Sequence, residues 1–238
     1  MNPSIALLAV FVVAAGCAGD KRKPVAVAID VGQMFIDDLE GRMLRARTAR
    51  LDAVMLASGA VNASLSARLV LGEGQRARLE VEGTFEGRPV KGWFECDGAL
   101  MQVGGSASAA RAPLPCAPEV RDALVLGFVR MGLLHNAALL VAGEPPDHAG
   151  GGAHNWLRAE RVRAGEPATH IAFDVVVKRE VMGTAVLTLD ERALPVRRTQ
   201  TMRLPALEGG EVKVVETYPR FELDLDVTAV FPDAAAPP

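Results

Sequence analysis

Between Glu119 and Val141 the chain carries an apolar run too broad for one face of a helix. Val120, Leu124, Val125, Leu126, Phe128, Val129, Met131, Leu133, Leu134, Leu139, Leu140 and Val141 cover nearly the whole helical circumference. A helix that is apolar all round is stable only when buried on most sides, so the remaining chain has to be built around it. Pro118 and Glu119 suit its start and Gly143 its stop. Arg130, in the middle of the run, argues against a membrane span.

What flanks this run on both sides reads as strands. Ser64–Leu71 alternates in part, and Arg76–Phe85 alternates strictly, charged outward and apolar inward. Val90–Cys96 follows, then the Asp97-Gly98 hairpin signal and Ala99–Val103. The links are too short for parallel crossovers, so this is an antiparallel meander. Gly104–Pro118 reads as a loop rich in Gly, Ala, Ser and Pro, and Glu144–Gly152 as a second loop. A second strand set is expected at His170–Lys178, Gly183–Leu189, Leu194–Arg203 and Val212–Leu225. Ahead of the first meander, Val31–Ala57 shows helical spacing in Met34, Phe35, Leu39, Met43, Leu44 and Leu51, with Ser58-Gly59 as its stop. The expected class is α+β: two strand sets in a chain this short suggest one curved antiparallel sheet wrapped around the central helix.

The N-terminus reads as an export segment. Ile5–Gly16 is uncharged and apolar, and it is shorter than the roughly 20 residues a bilayer span needs. It has the length of a signal-peptide core, followed by small residues. Ala14-Ala15-Gly16-Cys17 resembles a lipobox, in which cleavage leaves a lipidated cysteine at the mature N-terminus. Met1–Ser4 carries no Lys or Arg, a departure from that pattern. An ordinary signal peptide cut after Ala18 is the alternative, and it would discard Cys17. The expected division is a signal over 1–16, a lipid-anchored tether over 17–31, one β-domain over 32–231 with its helical plug at about 118–142, and a disordered Pro- and Ala-rich tail over 232–238. Ala18 follows the cysteine in place of the Asp that marks inner-membrane retention in many enteric-type bacteria. This points to the outer membrane, facing the periplasm.

Export bears on the other two cysteines. Cys96 and Cys116 form an even pair in a chain bound for an oxidising compartment, so a disulfide is the expectation, with two buried thiols as the other reading. The loop of about 20 residues would add roughly 3 kcal/mol in the chain-entropy picture. Net charge is −3 with both signs interspersed and no basic stripe, so nucleic acid is not expected as a partner. Two Trp, one Tyr and eight Phe are too few for aromatic stacking platforms.

Catalytic patterns are weak. Asp147-His148 and His154 lie in or beside a Gly-rich stretch but lack the spacing of a metal site, so no metal and no cofactor is expected. His135 reads as a partly buried, hydrogen-bonded residue and His170 as exposed. The chain has no Gly-x-Ser-x-Gly elbow and no phosphate-binding Gly-rich loop. Asp37-Asp38, and Asp224 with Asp226 on one strand face, read as solvated carboxylates.

Two hairpins carry a resemblance. Phe94-Glu95-Cys96-Asp97-Gly98-Ala99-Leu100-Met101 is an apolar strand, an Asp-Gly turn and a return strand. Gly183–Asp190 with Leu194-Pro195-Val196-Arg197-Arg198 is a hairpin whose short turn leads into a Leu-Pro pair. With a helix before the first strands and a helical insertion between the sets, the pattern from about Gly32 to Leu225 resembles the superfamily of the outer-membrane lipoprotein carrier LolA. The resemblance implies a strongly curved antiparallel sheet, an incomplete barrel wrapped around helices that plug its concave face, with a hydrophobic hollow that holds acyl chains, and no catalysis. A soluble shuttle has no lipid anchor of its own, so a Cys17-anchored chain resembles the receptor end of such a system or a membrane-bound relative. Leu124, Phe128, Met131 and Leu134 are the expected cavity lining, with Trp93 and Trp156 at its rim. Core packing is the competing account of all six. The expected ligand is a lipid or an acylated protein, bound by a monomer. A scaffold or regulator with a closed core is the second hypothesis, and an envelope hydrolase using His148 or His154 the third.

Overall fold

The computed structural model describes residues 31–106, 113–116, 119–142, 157–162, 170–177, 180–204, 210–227 and 230–231. Helix α1 (Val31–Arg45) leads into β1 (Ala49–Gly59), β2 (Ala63–Leu71), β3 (Ala77–Phe85), β4 (Arg88–Cys96), β5 (Leu100–Gly105) and a two-residue β6 (Leu114–Pro115). Helices α2 (Val120–Met131) and α3 (Leu133–Ala142) follow, then β7 (Leu157–Val162), β8 (His170–Val177), β9 (Glu180–Leu189), β10 (Pro195–Leu204) and β11 (Gly210–Leu223). The eleven strands among the described residues form one sheet in the order β6-β5-β4-β3-β2-β1-β11-β10-β9-β8-β7. Every neighbouring pair is antiparallel. Among the described residues the end strands β6 and β7 do not pair with each other, so the curved sheet is unclosed around its helices.

One strand joins the two meanders, and the expected helix over Val31–Ala57 had hidden it. The helix ends at Arg45, with Ile36, Leu39 and Met43 as its buried face. From Ala49 the burial period changes to two: Ala49, Leu51, Ala53, Met55 and Ala57 point inward, while Arg50, Asp52, Val54 and Leu56 point outward. Both periods are present in the apolar residues of this stretch. Period two prevails because β1 finds backbone partners on both sides, β2 and β11. The bend between α1 and β1 is tied to the far end of the chain. The Arg47 N–H donates to Asp224 Oδ1 (2.8 Å), the Asp224 N–H to the Thr48 carbonyl (2.8 Å), and the Thr48 hydroxyl to the Leu225 carbonyl (2.6 Å). Asp224 therefore lies past the end of β11, at φ 55°, rather than beside Asp226 on a strand.

The run expected as a single helix over Glu119–Val141 is broken at Gly132. That residue sits at φ 88°, ψ 167°, a region open essentially to glycine alone. β7 falls in a stretch where no strand was expected, and β6 in the expected loop over Gly104–Pro118. The other expected strands are present with ends shifted by a few residues. The inward residues of β1–β4 and β8–β11 form one apolar cluster with α1, α2 and α3. Leu51, Met55, Leu69, Leu71 and Leu79 are all under 2% exposed, each contributing about 1.5–3 kcal/mol.

Gly132→Ala tests the break. Its new Cβ would stand 2.6 Å from Glu216 Oε1, adding a buried steric conflict to backbone strain of about 1–3 kcal/mol. Gly74, at φ 66° with open space around it, is the control. Urea unfolding should show Gly132→Ala losing about 3 kcal/mol and Gly74→Ala about 1 kcal/mol.

Candidate functional site

Where α2 gives way to α3, two buried polar side chains hold the helix ends that the break leaves open. Arg198 on β10 and Glu216 on β11 are register partners, and both point inward. Arg198 Nη1 donates to the carbonyls of Val129 (3.0 Å) and Phe128 (3.4 Å), and Nη2 to that of Arg130 (2.7 Å). Its Nε donates to Gln200 Oε1 at 2.8 Å, and its guanidinium lies 5.2 Å from the Phe173 ring centre. The Phe128 carbonyl also accepts the Gly132 N–H at 2.9 Å; those of Val129 and Arg130 lie in the last turn of α2, where a helix runs out of backbone donors. Glu216 does the reverse for α3. Its carboxylate accepts the N–H groups of Leu133 (2.9 Å) and Leu134 (2.8 Å) and the Tyr218 hydroxyl. A cation thus meets a helix C-terminus and an anion a helix N-terminus, each in the sense the helix dipole favours.

Burial makes these contacts matter. Arg198 is 1% exposed and Glu216 0%, and buried charges are tolerated only when paired and hydrogen-bonded. Burial pulls the Arg198 pKa below the ordinary guanidinium value, with Tyr218 and Glu216 pulling it back. Burial pushes the Tyr218 phenol well above 10.0, and the negative Glu216 pushes it further.

The same device recurs at α1. The buried Arg121, in the first turn of α2, donates to the carbonyls of Met43 (3.4 Å), Leu44 (3.2 Å) and Ala46 at the end of α1. Arg130 pairs with Glu40 of α1 at 3.5 Å. Asn136 of α3 donates to the Leu124 carbonyl of α2 at 3.0 Å. α1, α2 and α3 are thereby fastened to one another as well as to β10 and β11.

Leu124, Phe128, Met131 and Leu134 come together on this plug. Leu124 and Phe128 are each 2% exposed, Met131 is 8% exposed and Leu134 is half-buried against the core. The Phe128 ring meets Tyr218 edge-on at 5.4 Å and Phe221 at 5.7 Å, so at that position the interior is close-packed. Trp93 is not with them. Gly92, Phe94 and Cys96 take the buried beat of β4, and Trp93 takes the opposite one. There it faces outward, with its indole against Gly104. Cys96 and Cys116 form a disulfide, S–S 2.00 Å. His135 is half-buried on α3 and His170 is exposed at the start of β8. Cys17, His148, His154 and Trp156, together with the tail over 232–238, lie outside the described residues. Among the described residues no helix is long and apolar enough to cross a membrane.

The outer face of the sheet carries an open groove of about 750 Å³, lined by Asp52, Arg68, Arg78, Glu80, Trp93 and Glu95 among others. Strand register brings Arg220, Asp52, Arg68 and Glu80 into one row of alternating sign. Asp52 lies 3.0 Å from both Arg50 and Arg68, and Arg78 lies 2.7 Å from Glu80. Burial raises the Asp52 pKa, but the hydrogen bonds from Arg50 and Arg68 outweigh it and the net shift is downward. The charges of this face compensate one another, and Val54 beside them in the groove is 47% exposed.

Truncating Glu216 to Ala leaves two helix amides and the Tyr218 hydroxyl without an acceptor and removes a negative charge that acts on Arg198. Urea unfolding should show a loss of about 3–5 kcal/mol, with Glu216→Gln losing less because one oxygen acceptor remains. Tyr218 supplies the pH dependence. Its folded pKa is raised, so its contribution is complete below the ordinary value of 10.0 and is lost as pH climbs beyond it. Tyr218→Phe should flatten that alkaline decline while costing about 1.5–3 kcal/mol at neutral pH.

No family model matches the chain, and no curated protein matches it. Among solved structures it is similar to a LolA superfamily protein from Nitrosomonas europaea, at 8% identity and TM-score 0.35, over 86% of this chain and 98% of that one. It is also similar to a DUF1329 family protein from Desulfovibrio piger, at 15% identity and TM-score 0.33, over 85% of this chain and 98% of the other. At those scores the fold rests on its own strand order. That architecture, an unclosed antiparallel sheet over a helical plug, is the one the resemblance to the LolA superfamily implied.

Proposed function

We propose that this protein is a non-enzymatic lipoprotein of the cell envelope, anchored through a lipid on Cys17, whose domain binds acyl chains of a lipid or an acylated protein in its apolar interior. The carrying observation is the unclosed sheet whose inward face is apolar on both meanders and lies over the apolar helices α2 and α3. A lipid tail needs such a surface and few polar contacts. The buried charges leave catalysis little to work with, because Arg198 and Glu216 are occupied by helix ends. On this reading the domain works as a monomer on the periplasmic side of the outer membrane, with neither metal nor nucleic acid as partner.

A second reading is favoured by one observation. Leu124 and Phe128 are packed against the core, as they would be in a scaffold or regulator with a closed interior.

Gentle extraction followed by native mass spectrometry separates the two. Bound acyl-chain masses, and uptake of a fluorescent fatty acid that falls when half-buried Leu134 is changed to Glu, are the expected results. A lipid-free protein that takes up no fatty acid would leave the scaffold reading. For the anchor, Cys17→Ser should move the protein from the membrane fraction to the soluble one. Retention in the membrane fraction would contradict lipidation at Cys17.

A further inference from the structure

The two ends of α2 are held by different means. Its C-terminus is gripped by Arg198, a buried side chain with three carbonyl acceptors. Its N-terminus is held more lightly: the N-cap residue Glu119 makes no capping bond, and one long bond, from the Arg121 N–H to Gln75 Oε1 at 3.3 Å, ties the first turn to the loop before β3. An uncapped helix start is weak by about 1 kcal/mol relative to a capped one.

What precedes that start is short. Among the described residues β6 consists of Leu114 and Pro115, paired with Met101 and Leu100 of β5, and Leu114 is 52% exposed. The Cys116 N–H adds one bond to the Ala99 carbonyl at 2.9 Å. Two residues of edge pairing do not hold a strand in water. The disulfide does, tying Cys116, four positions before Val120, to Cys96 at the end of β4. Cys96 is fully buried, while Cys116 is half-buried against the core, so Cys116 is the end of the bond nearer to an incoming thiolate.

We propose that Cys96–Cys116 is a redox switch on the seating of the first turn of α2. A dithiol reductant of the envelope is the partner. Its thiolate attacks Cys116 Sγ, and the S–S electron pair leaves on Cys96. The second thiol then resolves the mixed disulfide, releasing Cys116. The reductant ends as a disulfide, and its two protons end on the two cysteine thiols. With the strap open, β6 leaves β5 and the first turn of α2 loosens. Arg121 then no longer caps Met43, Leu44 and Ala46, so the end of α1 loosens with it. The α2–α3 junction stays on Arg198 and Glu216. The switch goes beyond the acyl-chain reading and does not depend on it.

Hydrogen exchange on the full-length protein tests this, before and after reduction with dithiothreitol, with free thiols counted. Peptides covering Leu114–Leu124 and Met43–Ala46 should exchange about ten-fold faster when reduced, while Phe128–Leu134 keeps its protection. Reoxidation should restore the slow pattern, and Cys116→Ser should show the fast pattern without reductant. Full reduction with no change in exchange, an equal rise across the whole sheet, or a disulfide that reduces only in denaturant would each overturn the proposal. None of these results depends on lipid binding.

Discussion

A helix that breaks inside a protein core exposes four carbonyls at one end and four amides at the other, and these groups must be satisfied or paid for in stability. The α2–α3 junction meets this constraint with charge rather than with a loop to solvent. Arg198 takes the carbonyls that end α2, and Glu216 takes the amides that begin α3. Because the two are register partners on neighbouring strands, the pairing of β10 with β11 fixes where the plug bends. Gly132 is the residue that lets the chain turn there, since the space for a Cβ is filled by the Glu216 carboxylate. The rest of the interior is arranged around that point: Tyr218 reaches the same carboxylate, and Phe128 packs on Tyr218 and Phe221.

Much of this architecture is legible in the sequence because burial leaves a period. Arg78, Glu80 and Glu82 against Leu79 and Val81 announce β3 without ambiguity. β1 does not, because Met43, Leu44 and Leu51 also satisfy helical spacing, and only a partner strand on each side decides between the two periods. The break at Gly132 is hidden for another reason. Apolar residues continue on both sides of it, and the groups that make the break tolerable lie about seventy to eighty residues away. Glu216 leaves a faint sign, since it falls on the inward beat of Val212, Val214 and Tyr218. Arg198 leaves none: its inward neighbour Gln200 is also polar, and nothing local marks it as buried.

For the candidate site, residue type alone is enough to bury the plug residues, while the face of a strand decides where Trp93 stands. Leu124, Phe128, Met131 and Leu134 belong to helices that the sheet encloses. Trp93 is one position off the inward beat of β4 and so stands on the opposite surface, among charges that pair with one another. A functional reading therefore rests on the inner face and its apolar helices. The polar residues inside it, Arg121, Arg130, Arg198 and Glu216, act as fasteners of helix ends and of helix pairs.

The most direct test of this clamp is a double-mutant cycle for Arg198→Met and Glu216→Gln, read by urea unfolding. Two charges holding one junction should be coupled, so the double variant should lose less than the sum of the single losses by at least about 1.5 kcal/mol. Additivity within about 0.5 kcal/mol would mean that the two helix ends are held independently, and that the bend in the plug is set elsewhere.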